Sequence, residues 1–262
     1  MSESRPLQGK RALVTGSSRG IGAAVARQLA EAGATVVLSA RSAPQVEELA
    51  ESLRHAGHSA RAIGCDVADA EQIGELRRHC LGWLGAIDIL VNNAGIASSA
   101  PLARTTLEEW NRLFAVNATG VFLCTQAFLP GMLESGWGRV VNIASVAGKI
   151  GAPYISAYSA SKHAVIGFTR CVALEVARRG VTVNAVCPGY VDTPMMEASV
   201  DNIVAKTGQA PGDARALLEK MSPQGRVFTP EEVAFQVLML CDPRAGGING
   251  QSIVLDGGAV QP

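Results

Sequence analysis

The sequence has no excess of charge of either sign. Its 262 residues include 23 Lys and Arg and 23 Asp and Glu, so the formal net charge is zero, and no long run of one sign occurs. A protein that binds nucleic acid usually concentrates basic residues on one face. We therefore expect no nucleic-acid partner.

Cysteine is sparse and scattered. Six cysteines, at positions 65, 80, 124, 171, 187 and 241, show no C-x-x-C spacing. This distribution indicates neither a disulfide framework nor a zinc site, and it is typical of small core residues in a reduced protein. We predict no metal site.

Long apolar runs are also lacking. Apolar stretches such as 34–38 and 87–91 have the length of strands, and none approaches the roughly 20 residues of a membrane span. The N-terminal residues 1–10 are polar and lack the apolar core of a signal peptide. We expect a cytoplasmic protein without a membrane partner.

What the sequence does contain is a regular alternation of short β-branched and longer amphipathic segments. This alternation predicts an α/β fold, a doubly wound seven-stranded parallel sheet with helices on both faces, in a single domain covering residues 1–262. Residues 189–228, rich in Pro, Gly and Met, depart from the pattern and indicate a substrate-covering segment rather than a plain surface insertion. The predicted strands cover residues 12–14, 35–39, 60–65, 87–91, 139–144, 182–186 and 252–255, and the predicted helices cover 21–32, 44–55, 71–84, 107–134 and 157–179.

A glycine-rich turn, T-G-S-S-R-G-I-G from Thr15 to Gly22, lies between the first strand and the first helix. Glycines at this point let the backbone turn sharply and approach a pyrophosphate, which then sits at the helix N-terminus. Three residues separate the first two glycines, so the spacing differs from G-x-G-x-x-G. The predicted nucleotide-binding residues of this turn are Gly16, Ser18, Arg19, Gly20, Ile21 and Gly22.

The end of the second strand indicates which nicotinamide cofactor is used. Enzymes for the non-phosphorylated cofactor usually place a carboxylate there, whereas this chain has Ala40 followed by Arg41. Arg41 could be a solvated residue at a helix start, but Arg19 supplies a second guanidinium nearby. Two guanidinium groups suit a 2′-phosphate, so we predict NADP(H).

Tyr158 and Lys162 are four residues apart, with Ser145 thirteen residues upstream of the tyrosine. On a helix, positions i and i+4 share a face. A cation close to a phenol favours the phenolate, so Lys162 is expected to lower the Tyr158 pKa toward neutrality and fit it for proton transfer. The spacing alone also fits a surface helix with an incidental Tyr and Lys.

Taken together, these features resemble the short-chain dehydrogenase/reductase family, from about Leu7 to Gly258, and are closest in character to 3-oxoacyl and polyketide ketoreductases. The resemblance implies hydride transfer between NADP(H) and a ketone or secondary alcohol. It implies that Tyr158 protonates the alkoxide and that Ser145 donates to the same oxygen. Lys162 would hold the ribose hydroxyls, and Asn117 would anchor a water. The further cofactor residues that it implies are Asp66 and Val67 at the adenine, Asn93, Ala94 and Gly95 on the adenosine side, and Pro188, Gly189 and Thr193 at the nicotinamide.

The substrate is less well defined by the sequence. Tyr154, Tyr190 and Met195, with Met196 and Met221, fit an apolar pocket beside Ser145 and Tyr158. A 3-oxoacyl thioester, carried by CoA or by a carrier protein, is the main expectation. The close alternative is a carbonyl reductase or secondary-alcohol dehydrogenase for another small or cyclic ketone.

Two departures from the family pattern bear on this choice. Aromatic-polyketide ketoreductases carry Pro-Gly-Gly where this chain has Ile96-Ala97-Ser98. Reductases that dock an acidic carrier present two arginines; Arg179 matches one, but the other falls on Gly136, with Arg139 nearby.

The chain also resembles the family in its means of assembly. The helices predicted over 107–134 and 157–179, together with the stretch 250–262, imply a homotetramer. A catalytically silent nucleotide-binding regulatory protein is the alternative from another class. Such a protein should lack Ser145, Tyr158 or Lys162, and this chain has all three.

Overall fold

Seven parallel strands form the centre of the fold. The computed structural model describes residues 5–261, and its sheet has the order β3-β2-β1-β4-β5-β6-β7. Because the strand order reverses between β1 and β4, a crevice opens at their carboxyl ends, where ligands of such sheets bind. The strands are β1 Arg11–Thr15, β2 Thr35–Ala40, β3 Ala60–Gly64, β4 Ile89–Asn92, β5 Gly138–Ile143, β6 Val181–Pro188 and β7 Ser252–Leu255.

Helices cover both faces of the sheet. Helices α1, α2 and α9 pack on one face, and α3, α5 and α6 pack on the other. In β1, Ala12 and Val14 face the first layer and Leu13 faces the second, as the alternation of side chains along a strand requires. The helices are α1 Gly20–Glu31, α2 Ala43–His55, α3 Ala70–Leu84, α4 Leu107–Phe114, α5 Gly120–Ser135, α6 Ser156–Val176, α7 Pro194–Thr207, α8 Pro211–Glu219 and α9 Pro230–Cys241.

This architecture confirms the predicted fold class, a single Rossmann-like domain, and each predicted strand lies within two residues of an observed one. Two helix predictions need correction. The helix predicted over 107–134 is divided into α4 and α5 by a π-helical turn, Ala115–Thr119. The helix predicted over 157–179 ends at Val176, just before Gly180, whose φ of +70° is left-handed.

The region after β6 is more regular than the sequence prediction held. Residues 189–228 contain α7 and α8, each with a proline in its first turn, and both ends of this segment are joined by a bridge between Val191 and Phe228. Helix α9 was not predicted at all. Its capping box, in which Thr229 and Glu232 satisfy each other's backbone amides, is the sequence signal that marks its start.

The helical segment Leu107–Ser135, 29 residues long, is apolar and long enough to cross a membrane, so the expectation that no segment has that length was wrong. Length and composition alone do not distinguish such a span from the core helix of a soluble protein. Within this segment Asn117 and Thr125 are buried and bonded to the rest of the fold, whereas Trp110 and Phe122 lie partly at the surface.

Candidate active site

The glycine-rich turn lies at the carboxyl end of β1, packed against the segment that follows β4. Asn93 donates from Nδ2 to the carbonyls of Thr15 and Gly16, each at 2.9 Å. A Cβ on Gly16, where φ is +63°, would lie 2.7 Å from the Ala94 Cα atom. The turn therefore tolerates only glycine there, because backbone meets backbone.

The N-terminus of α1 is open to a ligand. Its N-cap, Arg19, makes no side-chain hydrogen bond to the helix, and the first turn contains no acidic residue. The unsatisfied amides and the helix dipole favour an anion at this point. The predicted turn residues Ser18, Gly20 and Ile21 all lie here.

Two exposed arginines flank this helix end. Arg41 directly follows β2, and Arg19 precedes α1. Among residues 5–261, neither guanidinium makes a hydrogen bond or an ion pair. Both are therefore available to an anion that is not part of the fold.

Asp66 lies at the end of the next strand in the sheet. Its Oδ1 atom accepts from the Ala68 amide at 3.0 Å, so the carboxylate caps a turn. Val67 is buried and packs against Gly120, where a Cβ would lie 2.9 Å from the valine side chain. These two residues join the crevice wall to α5.

The Ser145 and Tyr158 side chains meet at the carboxyl end of β5. Ser145 follows the strand by two residues and caps a short 3-10 turn through the Ala147 amide, at 3.1 Å. Tyr158 lies in the first turn of α6, with its phenol close enough to Ser145 for the serine hydroxyl to affect the phenol pKa. Burial raises the pKa of Tyr158, the neighbouring Ser145 hydroxyl lowers it, and the neighbouring Tyr190 raises it, with a net upward shift. At neutral pH the phenol therefore holds its proton.

Lys162 does not act on the phenol as the sequence prediction held. Its Nζ atom donates to the Ile143 carbonyl at 2.8 Å and lies 5.9 Å from the Tyr158 ring centre. Burial lowers the pKa of Lys162 to about 8. The ammonium is thus desolvated and paired with a carbonyl, and the predicted lowering of the Tyr158 pKa is not found.

Asn117 lies in the π-helical turn and is fully buried. Its Oδ1 atom accepts from the Ile96 amide, and its Nδ2 atom donates to the Ile96 carbonyl, both at 2.9 Å, and to Ser161 Oγ at 3.0 Å. Both amide hydrogens are in use, so a water held here would have to donate to Oδ1 or to a main-chain carbonyl. Such π turns occur often at functional sites.

Ser161 is a site residue that the sequence reasoning missed. It is fully buried, accepts from Asn117 and donates to the Tyr158 carbonyl at 2.7 Å. The hydroxyl thereby ties the first turn of α6 to the π-helical turn. A serine inside an otherwise apolar helix face, next to the lysine, was the available signal.

The end of β6 completes the crevice beside the glycine turn. Gly189 lies against Asp256, and its predecessor Pro188 is buried at the end of the strand. Thr193 occupies the N-cap position of α7, its hydroxyl donates to the Val191 carbonyl, and a Cβ on Gly20 would lie 3.1 Å from its methyl group. The structure thus brings Thr193 of this segment to the nucleotide turn, and Gly189 to Asp256.

The predicted substrate residues are distributed unevenly. Tyr190 is partly buried and close enough to Tyr158 to affect its pKa. Met195 is half exposed, whereas Met196 is buried. Tyr154 is 65% exposed, in a left-handed conformation with φ of 70° that is rare outside glycine. Met221 is exposed at the end of α8.

The surface expected to dock a carrier protein carries one of the two arginines. Arg179 donates to the Leu133 carbonyl and lies at the surface. Arg139 is buried and donates to the carbonyls of Gly138, Gly180 and Pro243, so it cannot replace the arginine missing at Gly136.

Five of the six cysteines are buried and Cys171 is exposed, which agrees with a role in packing. Burial raises the pKa of the Cys241 thiol to about 12. In the part of the chain that the structure describes, no group of three His, Cys, Asp or Glu side chains is placed to hold a metal ion.

Comparison with known proteins bears on the same residues. A family model described as short chain dehydrogenase matches residues 10–203. The 3-oxoacyl-[acyl-carrier-protein] reductase FabG of Vibrio harveyi is 40% identical over 252 residues, covering 96% of this chain and 98% of the relative. The D-beta-hydroxybutyrate dehydrogenase of Cupriavidus necator is 36% identical, covering 97% and 99%.

A solved structure resembles the whole fold. The chain aligns with a variant of actinorhodin polyketide ketoreductase bound to NADPH at a TM-score of 0.92 and 40% identity, covering 95% of this chain and 97% of that one.

Proposed function

This chain belongs to the short-chain dehydrogenase family, and we propose that it is an NADP(H)-dependent ketoreductase whose substrate is a 3-oxoacyl thioester. As a member of the family it is an oxidoreductase that acts on CH–OH groups. The observation that carries the proposal is the meeting of Ser145 and Tyr158 over Lys162, at the crevice that the glycine turn enters.

The residues present fit a phosphorylated dinucleotide. The N-terminus of α1, where Arg19 provides no side-chain cap, suits a pyrophosphate, and the guanidiniums of Arg19 and Arg41, which have no partner among residues 5–261, suit a 2′-phosphate. No carboxylate stands at the end of β2 to repel that phosphate. The NADPH bound to the aligned ketoreductase supports the same choice. We assign the adenine to Asp66 and Val67, and the nicotinamide end to Pro188, Gly189 and Thr193.

In this proposal Tyr158 is the general acid. The bound nicotinamide supplies the hydride to the carbonyl carbon. The protonated phenol of Tyr158 gives its proton to the oxygen on which negative charge develops, and Ser145 donates a hydrogen bond to that oxygen. Because burial raises the phenol pKa above its ordinary value, Tyr158 carries the proton that reduction requires at neutral pH.

Lys162 and Asn117 assist Tyr158, the first through its charge and the second by positioning the first turn of α6. Lys162 contributes a buried positive charge within the same space, which favours developing negative charge on the substrate oxygen. Asn117 holds the loop at Ile96 and the first turn of α6 together through Ser161. This bracing keeps the phenol in place, and a water at Asn117 would return the proton from solvent.

A neutral acyl group suits the substrate side better than a free acid. Tyr154, Tyr190 and Met195 carry no positive charge, so none of them would form an ion pair with a substrate carboxylate. This argument favours a thioester over a free 3-hydroxy acid. A carbonyl reductase for another small or cyclic ketone is the second candidate, and the burial of Arg139 favours it, because a carrier-protein surface would be incomplete.

Initial rates of NADPH oxidation test the proposal. We expect acetoacetyl-CoA to be reduced with a higher kcat/KM than cyclohexanone if the thioester assignment is right. The reverse order would assign the chain to the second candidate. No oxidation with either compound, at a confirmed NADPH affinity, would refute ketone reduction.

We also propose that the protein is a cytoplasmic homotetramer. Apolar side chains are exposed on Trp110, Phe122 and Leu174 of α4, α5 and α6, and on Phe235 and Met239 of α9. These two groups suit two different two-fold contacts between copies. A sedimentation experiment that finds monomers at micromolar concentration would contradict this assembly.

A further inference from the structure

The loop after β4, residues 95–101, is bonded to two elements that border the active site. Ile96 is bonded through its amide and its carbonyl to the Asn117 side chain in the π-helical turn. The Ala100 amide donates to the Tyr154 carbonyl at 2.8 Å, four residues before the catalytic tyrosine. We call this segment the β4 loop, and it forms one fixed wall of the crevice.

Helix α7 meets the β4 loop at Ser99. Asn202 donates from Nδ2 to Ser99 Oγ at 2.7 Å, and Lys206 donates from Nζ to the Ser99 carbonyl at 3.2 Å. Asn202 and Lys206 are four residues apart and so share one face of the helix. In residues 5–261, these are the hydrogen bonds that join α7 to a residue outside segment 189–228.

Other contacts of segment 189–228 lie where the segment begins and ends, close to β6 and α9. The Val191–Phe228 bridge joins its two ends, and Arg215 of α8 pairs with Asp192 at 3.1 Å. Asn202 lies eight residues beyond the start of α7, which is about 12 Å along the helix. Helix α7 also packs against α8, and its far half is hydrogen-bonded to the β4 loop at Ser99.

The face of α7 that carries Asn202 also carries Met195, seven residues or two turns earlier. Met195 lies two residues after Thr193, which contacts the nucleotide turn at Gly20. This face therefore runs from the nucleotide turn to the β4 loop, a distance of about 10 Å between Met195 and Asn202. It spans one side of the substrate opening.

We propose that Ser99, Asn202 and Lys206 form a latch that closes this side of the substrate cleft and limits the size of the ketone admitted. The inference rests on the proposed ketone reduction. Releasing the latch lets α7 move away from the β4 loop, so a bulkier ketone gains access while the chemistry at Tyr158 is unchanged.

The test compares a bicyclic ketone, α-tetralone, with cyclohexanone. In the variant Asn202→Ala/Lys206→Ala, the ratio of their kcat/KM values should rise roughly threefold to tenfold, the effect of about one net hydrogen bond. Ser99→Ala should raise it in the same direction. Ser199→Ala is the matched control, because among residues 5–261 the Ser199 hydroxyl bonds only the Met195 carbonyl of its own helix.

Hydrogen exchange reports the latch without activity. Amides of residues 195–208 and 96–101 should exchange faster in the double variant than in Ser199→Ala. Unchanged exchange, or an unchanged substrate ratio in an active enzyme, overturns the latch. A wild-type protein that binds NADPH but reduces neither ketone nor acetoacetyl-CoA overturns the proposed function instead. In that case, amide hydrogen exchange still tests whether the contact of Asn202 and Lys206 with Ser99 holds α7 in place.

Discussion

Replacing Arg19 and Arg41, the two arginines beside the nucleotide turn, with alanine should weaken the binding of NADPH more than the binding of NADH. A hydrogen bond to a charged group contributes about 1.5–3 kcal/mol, and the exposure of Arg19 and Arg41 places each near the lower end. About 1.5 kcal/mol corresponds to a roughly tenfold higher Kd for each single alanine variant. Because neither guanidinium has a partner within residues 5–261, no freed carboxylate complicates the loss.

The assay is titration of nicotinamide fluorescence with NADPH and NADH. NADH affinity should change less than about twofold, since NADH has no 2′-phosphate for these groups to bind. If both arginines bind one phosphate, the Kd for NADPH in the double variant should rise by less than the product of the two single-variant increases, because the contributions of neighbouring groups are coupled. Arg27→Ala is the control: Arg27 is also exposed on α1, about 12 Å further along. Equal losses for NADPH and NADH would refute the reasoning.

Three further predictions concern proton transfer, bracing and stability. Lys162, with a pKa near 8, loses its charge as pH rises through that value, so kcat/KM for reduction should fall above about pH 8 in the free enzyme; a flat profile to pH 10 would contradict this. Ser161→Ala leaves an Asn117 amide hydrogen unpaired and removes the side-chain bond to the Tyr158 carbonyl, so kcat should fall about tenfold or more with NADPH affinity retained, while Ser161→Thr should keep more activity. Asp88→Ala removes the buried carboxylate that pairs with Arg11 at 2.7 Å. This substitution should lower the free energy of unfolding by about 2 kcal/mol and Tm by roughly 4–8 °C in a thermal scan. Glu47→Ala, which removes an exposed partner of Arg54, is the control and should change Tm little.

The lowered pKa of Lys162 also makes the stability of the folded chain depend on pH in the alkaline range. The pKa of Lys162 is lower in the folded chain than its ordinary value, so between about pH 8 and 10.5 the unfolded chain binds the proton and the folded chain does not. Stability from this group therefore rises with pH across that window. Activity and stability should thus change in opposite directions there.

The sheet and its crevice were readable from the sequence because parallel strands buried on both faces appear as short apolar runs. The glycine turn was equally readable, since a residue such as Gly16 has no room for a side chain. Helices α7 and α8 were not: α7 has only a weak apolar period, and α8 is short, with nine residues. Helix α9 was missed although its Thr229 and Glu232 cap was present in the sequence.

Electrostatics and long-range contacts were the least predictable part of the site. The spacing of Tyr158 and Lys162 correctly indicated a shared helix but not that the ammonium would bind the Ile143 carbonyl. Likewise, Ser99 and Asn202 are 103 residues apart, and only the folded chain brings them together. Burial, which decides the sign of the Tyr158 pKa shift, depends on several elements at once.

The measurement that tests the account most directly is the activity of Tyr158→Phe beside wild type. Removing the phenol hydroxyl deletes the proton donor while keeping the ring, so NADPH oxidation with a reducible ketone should fall by at least 100-fold, the smaller end of general acid catalysis. NADPH affinity should stay within about threefold of wild type, because the phosphate contacts are elsewhere. Full activity in this variant would contradict the assignment of Tyr158 as the acid.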